Sequence, residues 1–419
     1  MVNVNNFNGI SDSDRIEKAI SRKTSDGIII IPPRESADEP QRRYWLLDRA
    51  VLLPENTTLI LQNCTIKLSD KCRDNFFRTA NCGLGISDPE KIHNVHILGI
   101  GSPELIGADH PRSTGDESKI LANPAPHLTE DLCRLADWIP EEHKSSGQLD
   151  FFDVHIHTYG TDAGNPNESQ YGDWRNIGIL FANTENFSIK NIKITEPHAW
   201  SISLEACSYG TVEEIRFSAR MSKNIDGMIQ HIENQDGLNL RNGCHNITVN
   251  NIKGETGDDV IALTAIADKT PRPGGSLKYT HVMHNDWSRR ESGIHDITVS
   301  NVTAQSYMCL MVRLLACETM IENIVINDVI DTSETGKGNH AAIGIGENDS
   351  SYGRCLPGSI RNISVSNLIC SSDTAVFVGG YLTDSTLTNI INKNDNGRII
   401  VAEREHGLKN VNINNSIGW

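Results

Sequence analysis

Apolar and polar residues alternate along most of this sequence, with one helical exception near its start. Residues 11–27, SDSDRIEKAISRKTSDG, open with capping Ser and Asp, place Ile16, Ala19 and Ile20 at helical spacing, and end at Gly27. Residues 56–70, NTTLILQNCTIKLSD, alternate with period two instead, which is typical of a half-buried strand. The pattern therefore predicts one amphipathic helix followed by many short strands.

One phrase recurs along the chain: a turn residue, Asn or Asp, alternating Ile or Val, and another Asn. Its copies are KIHNVHILGIG from 91, TENFSIKNIKI from 184, GTVEEIRFSA from 210, CHNITVNNIKG from 244, IHDITVSNVTA from 294, MIENIVINDVI from 320, SIRNISVSNLI from 359 and GLKNVNINNSI from 407. Successive copies lie about 23 to 39 residues apart over much of the chain, with about 50 residues between Ile247 and Ile297. Such self-similarity predicts stacked units, with a skipped or heavily modified unit at the long gap.

The stacked units predict an all-β fold, a single-stranded right-handed parallel β-helix. Leucine-rich repeats have similar periods but add a helical stretch to each unit, and these units show almost none. Asn suits the coil corners because it tolerates left-handed backbone angles and its amide reaches the neighbouring turn. We expect the N-terminal helix to cap the open end of this solenoid. We expect one domain over residues 1–419, interrupted by an insertion at about 107–175 that is rich in Pro, Gly and acidic residues.

Composition narrows the possible partners. Hydrophobic residues make up 38% and charged residues 22%, which is typical of a folded globular protein. The formal net charge is −16 and there is no long Lys/Arg cluster, so nucleic acid is not an expected partner.

No apolar stretch is long enough to predict a membrane span. The N-terminus shows no signal peptide, which predicts a cytoplasmic protein, or a secreted one if a signal was trimmed. Ten cysteines without C-x-x-C pairs indicate small buried side chains rather than a disulfide framework.

Three aspartates interrupt the alternating apolar pattern in two successive units. Asp258 and Asp259 follow Asp236 by 22 and 23 residues, which is close to one coil. If Leu238 and Leu240 stack on Ile261 and Leu263, Asp236 falls in the column of Asp259. Asp258 then lies one place away beside a glycine that permits an irregular turn. The spacing predicts three carboxylates on one surface patch.

Crowded carboxylates suit acid–base chemistry. Repulsion between like charges raises at least one pKa, as a general acid that works near neutral pH requires. Glycoside hydrolysis uses such a pair, one carboxyl protonating the leaving oxygen and one carboxylate activating water. Two alternatives remain: acidic residues that only cap backbone N–H groups, or a structural Ca²⁺ site.

The carboxylate motifs also resemble a known family. NQDG at 234–237 and GDDVIAL at 257–263 resemble the N-x-D and D-D signatures of glycoside hydrolase family twenty-eight, the polygalacturonases, within the pectin-lyase-like superfamily. The N-terminal strands and residues 178–207 also resemble that family. The resemblance implies a hydrolase in which Asp258 is the general acid and Asp236 with Asp259 holds the nucleophilic water. It implies no cofactor, and it places Asn234 among the substrate-binding residues.

The sequence departs from the family at two further motifs. Gly-His-Gly is absent, and SLKYTHVMHNDWSRRES stands in its place, so His281 or His284 would supply the imidazole. The Arg-Ile-Lys motif, which grips the uronic carboxylate, corresponds to Arg313-Leu314-Leu315. Without the lysine, part of the anion site is missing. We therefore expect weaker selectivity for galacturonate, and a neutral or singly charged sugar as an alternative substrate.

Other polar residues have weaker patterns. His198 and Trp200 lie about one coil before Asp236, where the tryptophan would either stack on a sugar or pack in the core. Glu205 and Glu347 read as solvated turn charges, or as walls of the site. Asp153, His155 and His157 form a His-x-His pattern without further ligands, so no metal site is expected.

We expect an inverting glycosidase that acts on an oligosaccharide or polysaccharide, trimming it from an end. Two alternatives share the scaffold. One is a polysaccharide lyase, fructan transferase or epimerase. The other is a non-catalytic, tailspike-like protein that binds glycans. The sequence does not predict the oligomeric state.

Overall fold

A computed structural model describes residues 1–83, 86, 88–111, 114–115, 174–267, 281–283, 291–334, 340–347 and 352–417. The predicted insertion at about 107–175 lies almost wholly outside these residues, as do Asp153, His155, His157 and His284. The single-domain interpretation and the insertion therefore stay predictions.

The predicted N-terminal helix is present as α1, Asp12–Ser21. The side chain of Ser11 caps it by accepting a hydrogen bond from the Asp14 N–H at 3.2 Å. Ile16, Ala19 and Ile20 point into the core. Two short 3₁₀ turns lie at Val4–Asn6 and Trp174–Asn176. Among the described helices, none is long and apolar enough to cross a membrane.

The rest of the described chain is built from short strands. In chain order these are β1 Val2–Asn3, β2 Ile28–Ile31, β3 Trp45–Leu47, β4 Val51–Leu53, β5 Thr57–Gln62, β6 Thr65–Leu68, β7 Phe77–Thr79, β8 Ile92–Ile100, β9 Glu104–Ile106, β10 Ile179–Ala182, β11 Thr184–Thr195, β12 Ile202–Glu205, β13 Ser208–Ser218, β14 Ser222–Ile225, β15 Met228–His231, β16 Leu238–Arg241, β17 His245–Thr256, β18 Ile261–Ile266, β19 Ile294–Ser306, β20 Val312–Cys317, β21 Ile321–Asp331, β22 Ala341–Ile345, β23 Ile360–Cys370, β24 Thr374–Val378, β25 Leu382–Asn392, β26 Arg398–Ala402 and β27 Leu408–Asn414.

Two long parallel sheets run along the molecule, and the chain alternates between them. The larger sheet contains β2, β5, β8, β11, β13, β17, β19, β21, β23, β25 and β27 in that spatial order. The second has the order β26-β24-β22-β20-β18-β16-β12-β10-β7-β4. Only β14 and β15, within the described residues, pair antiparallel, as a hairpin. This arrangement confirms the predicted parallel β-helix.

The long gap between two copies of the recurring phrase is one enlarged coil. Strand β17 pairs directly with β19, with Ile247 opposite Ile297. No coil is skipped there, because the extra residues lie between β18 and β19, on the way back to the larger sheet.

Asparagines form ladders at the coil corners, as predicted. Asn56, Asn94 and Asn186 have φ values of 55°, 60° and 58°, in the left-handed region that Asn tolerates. Asn94 Nδ2 donates to Asn56 Oδ1 at 2.7 Å, and Asn186 Nδ2 donates to Asn94 Oδ1 at 2.6 Å. The corners thus keep successive coils in register.

Candidate active site

Strand register brings the three aspartates onto adjacent coils. Leu238 pairs with Ile261 and Leu240 with Leu263, and all four side chains are buried in the core. The backbone N–H of Gly237 donates to the Asp259 carbonyl at 2.8 Å. Extending the register by two residues places Asp236 directly beside Asp259 in the neighbouring coil. The predicted pairing of Leu238 and Leu240 with Ile261 and Leu263 is confirmed, but Asp236 and Asp259 are buried and do not form the predicted surface patch.

Asp236 lies two residues before β16 and is only 6% exposed. Its Oδ2 accepts a hydrogen bond from Asn239 Nδ2 at 3.0 Å. Asn239 is on β16 and points out of the solenoid, because Leu238 and Leu240 take the inward positions. The alternation of the strand thus presents an amide donor to the carboxylate.

Asp259 is 4% exposed and receives donors from the next coil. Its Oδ1 accepts the Leu310 N–H at 3.0 Å, and its Oδ2 accepts Arg313 Nε at 2.5 Å. Hydrogen bonds and a positive charge of this kind stabilise the ionised carboxylate. Asp259 is therefore suited to act as a base or as an acceptor for a water proton.

Asp258 has a different environment from its neighbour. Its Oδ1 accepts the Asp259 N–H at 2.9 Å, and its carbonyl accepts the hydroxyls of Thr256 and Ser306 at 2.6 and 2.8 Å. Burial and the nearby Asp259 charge raise the pKa of Asp258 to about 6. The two adjacent carboxyl groups thus lie in different environments: Asp258 is favoured in its protonated form by burial and a like charge, and Asp259 is paired with Arg313.

Arg313 also contacts two groups beyond Asp259. Its Nη1 pairs with the Glu347 carboxylate, and its Nη2 donates to Cys309 Sγ at 2.7 Å. The surrounding carboxylates, chiefly that of Asp259, raise the pKa of Arg313. All three guanidinium nitrogens of Arg313 therefore contact other side chains of the protein.

One group of side chains among the described residues lies close enough together to ligate a cation. The side-chain ligand atoms of Asp258, Asp259 and Cys309 lie within 4.8 Å of one another. The Arg313 guanidinium contacts two of these three residues. The protein itself thus supplies the positive charge at this position, which disfavours a metal ion there.

His281, predicted to serve the site, lies in a buried cluster and is 1% exposed. Its Nδ1 lies 2.9 Å from Glu205 Oε1 and its Nε2 lies 2.9 Å from Arg241 Nη2. Glu205 also accepts the backbone N–H groups of Val282 and Met283. Both ring nitrogens of His281 are engaged, so this conformation presents neither to a substrate.

Glu205 corrects a sequence-based interpretation, because it is 1% exposed rather than a solvated turn charge. Sequence alone hides this, because the residues that cover it lie far along the chain.

His198 and Trp200 are also inside the protein. His198 is 3% exposed and its Nε2 accepts the Ala108 N–H at 2.9 Å. Burial lowers the pKa of His198 to about 3, so the ring is neutral. Trp200 is 1% exposed, and the Arg241 guanidinium lies 4.8 Å from its ring centroid. Neither ring therefore offers a face to a sugar in this structure.

Asn234 has a φ of 53° and lies partly exposed on the turn before Asp236. It stays a predicted substrate contact.

Two features were not assigned to the site from sequence. Glu347, read mainly as a solvated charge, pairs with Arg313, and Cys309 lies against the aspartates. The strand register explains how Glu347 reaches the site. Arg313 pairs with Gly344 in the next coil, and Glu347 follows Gly344 by three residues.

Leu315, which the sequence resemblance aligns with the family's lysine, is fully buried and packs with Ile266, Cys317 and the partly buried Tyr352. No cationic side chain occupies this position.

Comparisons with known proteins agree with the sequence resemblance. The model of Glycosyl hydrolases family 28 matches residues 158–274, a range that contains Asp236, Asp258 and Asp259. No curated protein matches the sequence.

Several solved structures share the fold. A polygalacturonase from Erwinia carotovora is 12% identical, with a TM-score of 0.55, over 97% of this chain and 91% of that one. An exopolygalacturonase from Thermotoga maritima is 16% identical, with a TM-score of 0.51, over 99% and 91%. A tailspike protein of the E. coli bacteriophage HK620 is 12% identical, with a TM-score of 0.53, over 100% and 67%. At these identities the structures show the fold alone.

Proposed function

We propose that this chain, whose residues 158–274 match the family 28 model, is a glycoside hydrolase that cleaves an O-glycosidic bond by single displacement with inversion. The main support for the proposal is that two adjacent carboxyl groups, those of Asp258 and Asp259, have different environments. Asp258 is partly buried beside a like charge and has a pKa of about 6, and Asp259 is held by Arg313 and a backbone N–H. Glycoside hydrolysis uses one protonated carboxyl and one carboxylate, and we take inversion from the family resemblance, because the Asp258 and Asp259 ligand atoms, within 4.8 Å of each other, do not by themselves indicate it.

In this mechanism Asp258 donates its proton to the leaving glycosidic oxygen. A pKa of about 6 keeps a substantial protonated fraction near neutral pH. Asp259 and Asp236 hold a water molecule and accept its proton as its oxygen bonds to the anomeric carbon. The bond from that carbon to the leaving oxygen breaks in the same step. Asn239 orients Asp236 through its amide.

The contacts of Arg313 bear on the substrate. Its three guanidinium nitrogens contact Asp259, Glu347 and Cys309, and Leu315 is buried where the family has its lysine. Together with a net charge of −16, this disfavours a uronic carboxylate at the site. We therefore propose that neutral glycosides are cleaved at least as well as galacturonides. We also propose that the enzyme attacks oligosaccharide ends, because the predicted insertion would close the groove into a pocket.

A screen of aryl glycosides and oligosaccharides tests the proposal. The Asp258→Asn variant should lose most turnover, about 10²-fold to 10⁴-fold, and keep substrate affinity. Asp38→Asn is the matched control, because Asp38 is exposed near the N-terminus, and it should keep full activity. Equal loss in both variants would contradict the assignment. A protein that binds a glycan and cleaves none would contradict the enzyme and favour a non-catalytic binding protein.

A chelator separates hydrolysis from elimination. A lyase on this scaffold would act near Ca²⁺ and produce an unsaturated sugar. Activity that survives EDTA and forms no ultraviolet-absorbing product would support the hydrolase. Activity lost with EDTA, or an unsaturated product, would support the lyase.

A further inference from the structure

An open cleft lies on the same sheet as the aspartates, toward the C-terminal end of the solenoid. Its volume is about 670 Å³, within the range of about 300–1,000 Å³ that is typical of small-molecule sites. It is lined by Glu347, Phe377, Gly379, Tyr381, Glu403, Arg404 and Glu405.

Strand register fixes the position of the cleft relative to the site. Arg313 pairs with Gly344, and Gly344 pairs with Phe377 in the following coil. With coils about 4.8 Å apart, Phe377 lies about 10 Å from Arg313 along the solenoid. Glu347 belongs to both places, because it lines the cleft and pairs with Arg313. A linear ligand that lies along the sheet can therefore reach the cleft and the aspartates together.

The floor of the cleft depends on a glycine. A Cβ on Gly379 would lie 2.8 Å from the Gly346 carbonyl oxygen and 3.0 Å from Phe377 Cε1. Any side chain there would therefore push on the backbone of the preceding coil or on the phenyl ring. Gly379 keeps the ring and the floor in place.

Two aromatic rings form the apolar part of the lining. Phe377 points out of the solenoid, because Val376 and Val378 occupy the core, and it stays partly exposed. His340 braces it edge-on, with ring centroids 5.1 Å apart. Tyr381 is also partly exposed. Rigid, partly exposed rings offer flat apolar faces to the C–H face of a sugar ring.

The charge of the lining selects against anions. Three carboxylates, on Glu347, Glu403 and Glu405, line the cleft with the Arg404 guanidinium, and since Glu347 is also paired with Arg313, one carboxylate remains in excess. Glu403, Arg404 and Glu405 are all exposed. Carboxylates accept hydrogen bonds from sugar hydroxyls, but they repel a second carboxylate. An uncharged, hydroxyl-rich ring fits this lining better than a uronate does.

We propose that this cleft is a second sugar-binding site, which takes an uncharged pyranose unit of the glycan cleaved at the aspartates. This inference rests on the proposed function for the identity of the ligand. The site itself rests on the cleft, its aromatic lining and its charge.

Calorimetric titration of the Asp258→Asn protein tests the proposal without turnover. The probes are xylohexaose, β-1,4-galactohexaose, cellohexaose and hexagalacturonate. We expect at least one neutral hexamer to bind with a Kd of about 1 mM or tighter, and more tightly than hexagalacturonate. Binding by none of the neutral hexamers, or preferred binding of hexagalacturonate, would overturn the proposal.

Variants locate the binding in the cleft. Phe377→Leu, which keeps an apolar side chain, should weaken binding of the neutral hexamer by about tenfold. Tyr209→Ala is the control, because Tyr209 is 58% exposed on the other sheet, and it should leave the affinity unchanged. The double variant Glu403→Gln with Glu405→Gln should raise the affinity for hexagalacturonate. Unchanged affinity in Phe377→Leu would overturn the proposal.

The readout is independent of catalysis. If the wild-type protein cleaves no glycan but Phe377→Leu loses neutral-sugar binding, the cleft is a sugar site and the proposed hydrolase fails. If the wild-type protein cleaves glycans and Phe377→Leu binds them unchanged, the hydrolase stands and the cleft proposal fails.

Discussion

Arg313 Nε lies 2.5 Å from Asp259 Oδ2, although 54 residues separate the two along the chain. Arg313, which the sequence resemblance aligns with the family's substrate-gripping arginine, therefore holds a carboxylate of the protein itself. The Glu347 carboxylate on its other side completes the pairing. In this structure the Arg313 guanidinium binds the carboxylates of Asp259 and Glu347, so it is not free to bind an anionic ligand.

This pairing makes Arg313 a stabilising residue. In Arg313→Gln, Asp259 would keep a buried charge without its cationic partner, so we expect the free energy of unfolding at pH 7 to fall by about 3–5 kcal/mol. Turnover should fall as well, because Asp259 is no longer oriented. Urea denaturation and kinetics measure both effects, and Glu347→Gln, which keeps the Asp259 pair, is the control. A variant with normal stability that loses only affinity for uronides would show that Arg313 grips substrate instead.

The raised pKa of Asp258 predicts how stability depends on pH. A carboxyl whose pKa in the folded protein is about 6, above its ordinary value, stabilises the fold most fully below about pH 4, where it is protonated in both states. This stabilisation is lost as the pH rises through 6.

Asn cannot ionise, so Asp258→Asn should be more stable than the wild type at pH 8, by about 1–3 kcal/mol, and nearly equal to it at pH 4. Thermal melts of both proteins at the two pH values measure this difference. Asp38→Asn should show no such pH-dependent gain. A constant difference between Asp258→Asn and the wild type across this range would contradict the raised pKa.

Restoring the family's lysine should not restore a uronate site. Leu315 has no exposed surface, so Leu315→Lys would bury an ammonium group among Ile266, Cys317 and Tyr352. We expect a loss of several kcal/mol in stability and no rise in kcat/KM for galacturonides. Leu315→Met controls for the change in shape. A stable Leu315→Lys protein with increased galacturonide cleavage would show that this position faces the substrate.

The cluster of His281, Glu205 and Arg241 predicts a structural role for the histidine. Glu205→Gln and His281→Ala should both lower Tm, because each leaves a buried partner unpaired. Well below Tm, kcat should stay within a few-fold of the wild type. If His281→Ala lost turnover at unchanged Tm, the imidazole role implied by the family resemblance would hold.

Local spacing was sufficient to predict the fold and the pairing of the two strands that follow the aspartates. Strand alternation and the 23-residue step from Asp236 to Asp259 directly report which side chains stack. The left-handed Asn corners follow from the same short-range pattern. These features depend on one coil and its immediate neighbour, so they are visible in the sequence.

The contacts of Asp259 were not predictable in this way. Asp259 meets Leu310 across 51 residues, because an enlarged coil breaks the regular count. The burial of Trp200 likewise depends on distant chain segments that pack on the outside of the sheet, including Trp174, Val282 and Met283. The alternation of apolar and polar residues along a strand shows which side chains point inward and which point outward. It does not show which of the outward side chains another segment of the chain covers.

Proton NMR of the first product formed from a cleaved glycoside tests the central claim most directly. The account predicts that the new reducing end appears first as the anomer opposite to that of the bond cleaved, and that Asp258→Asn forms it at least about 10²-fold more slowly. A first product that retains the anomeric configuration, or one that contains a C=C double bond, would contradict it.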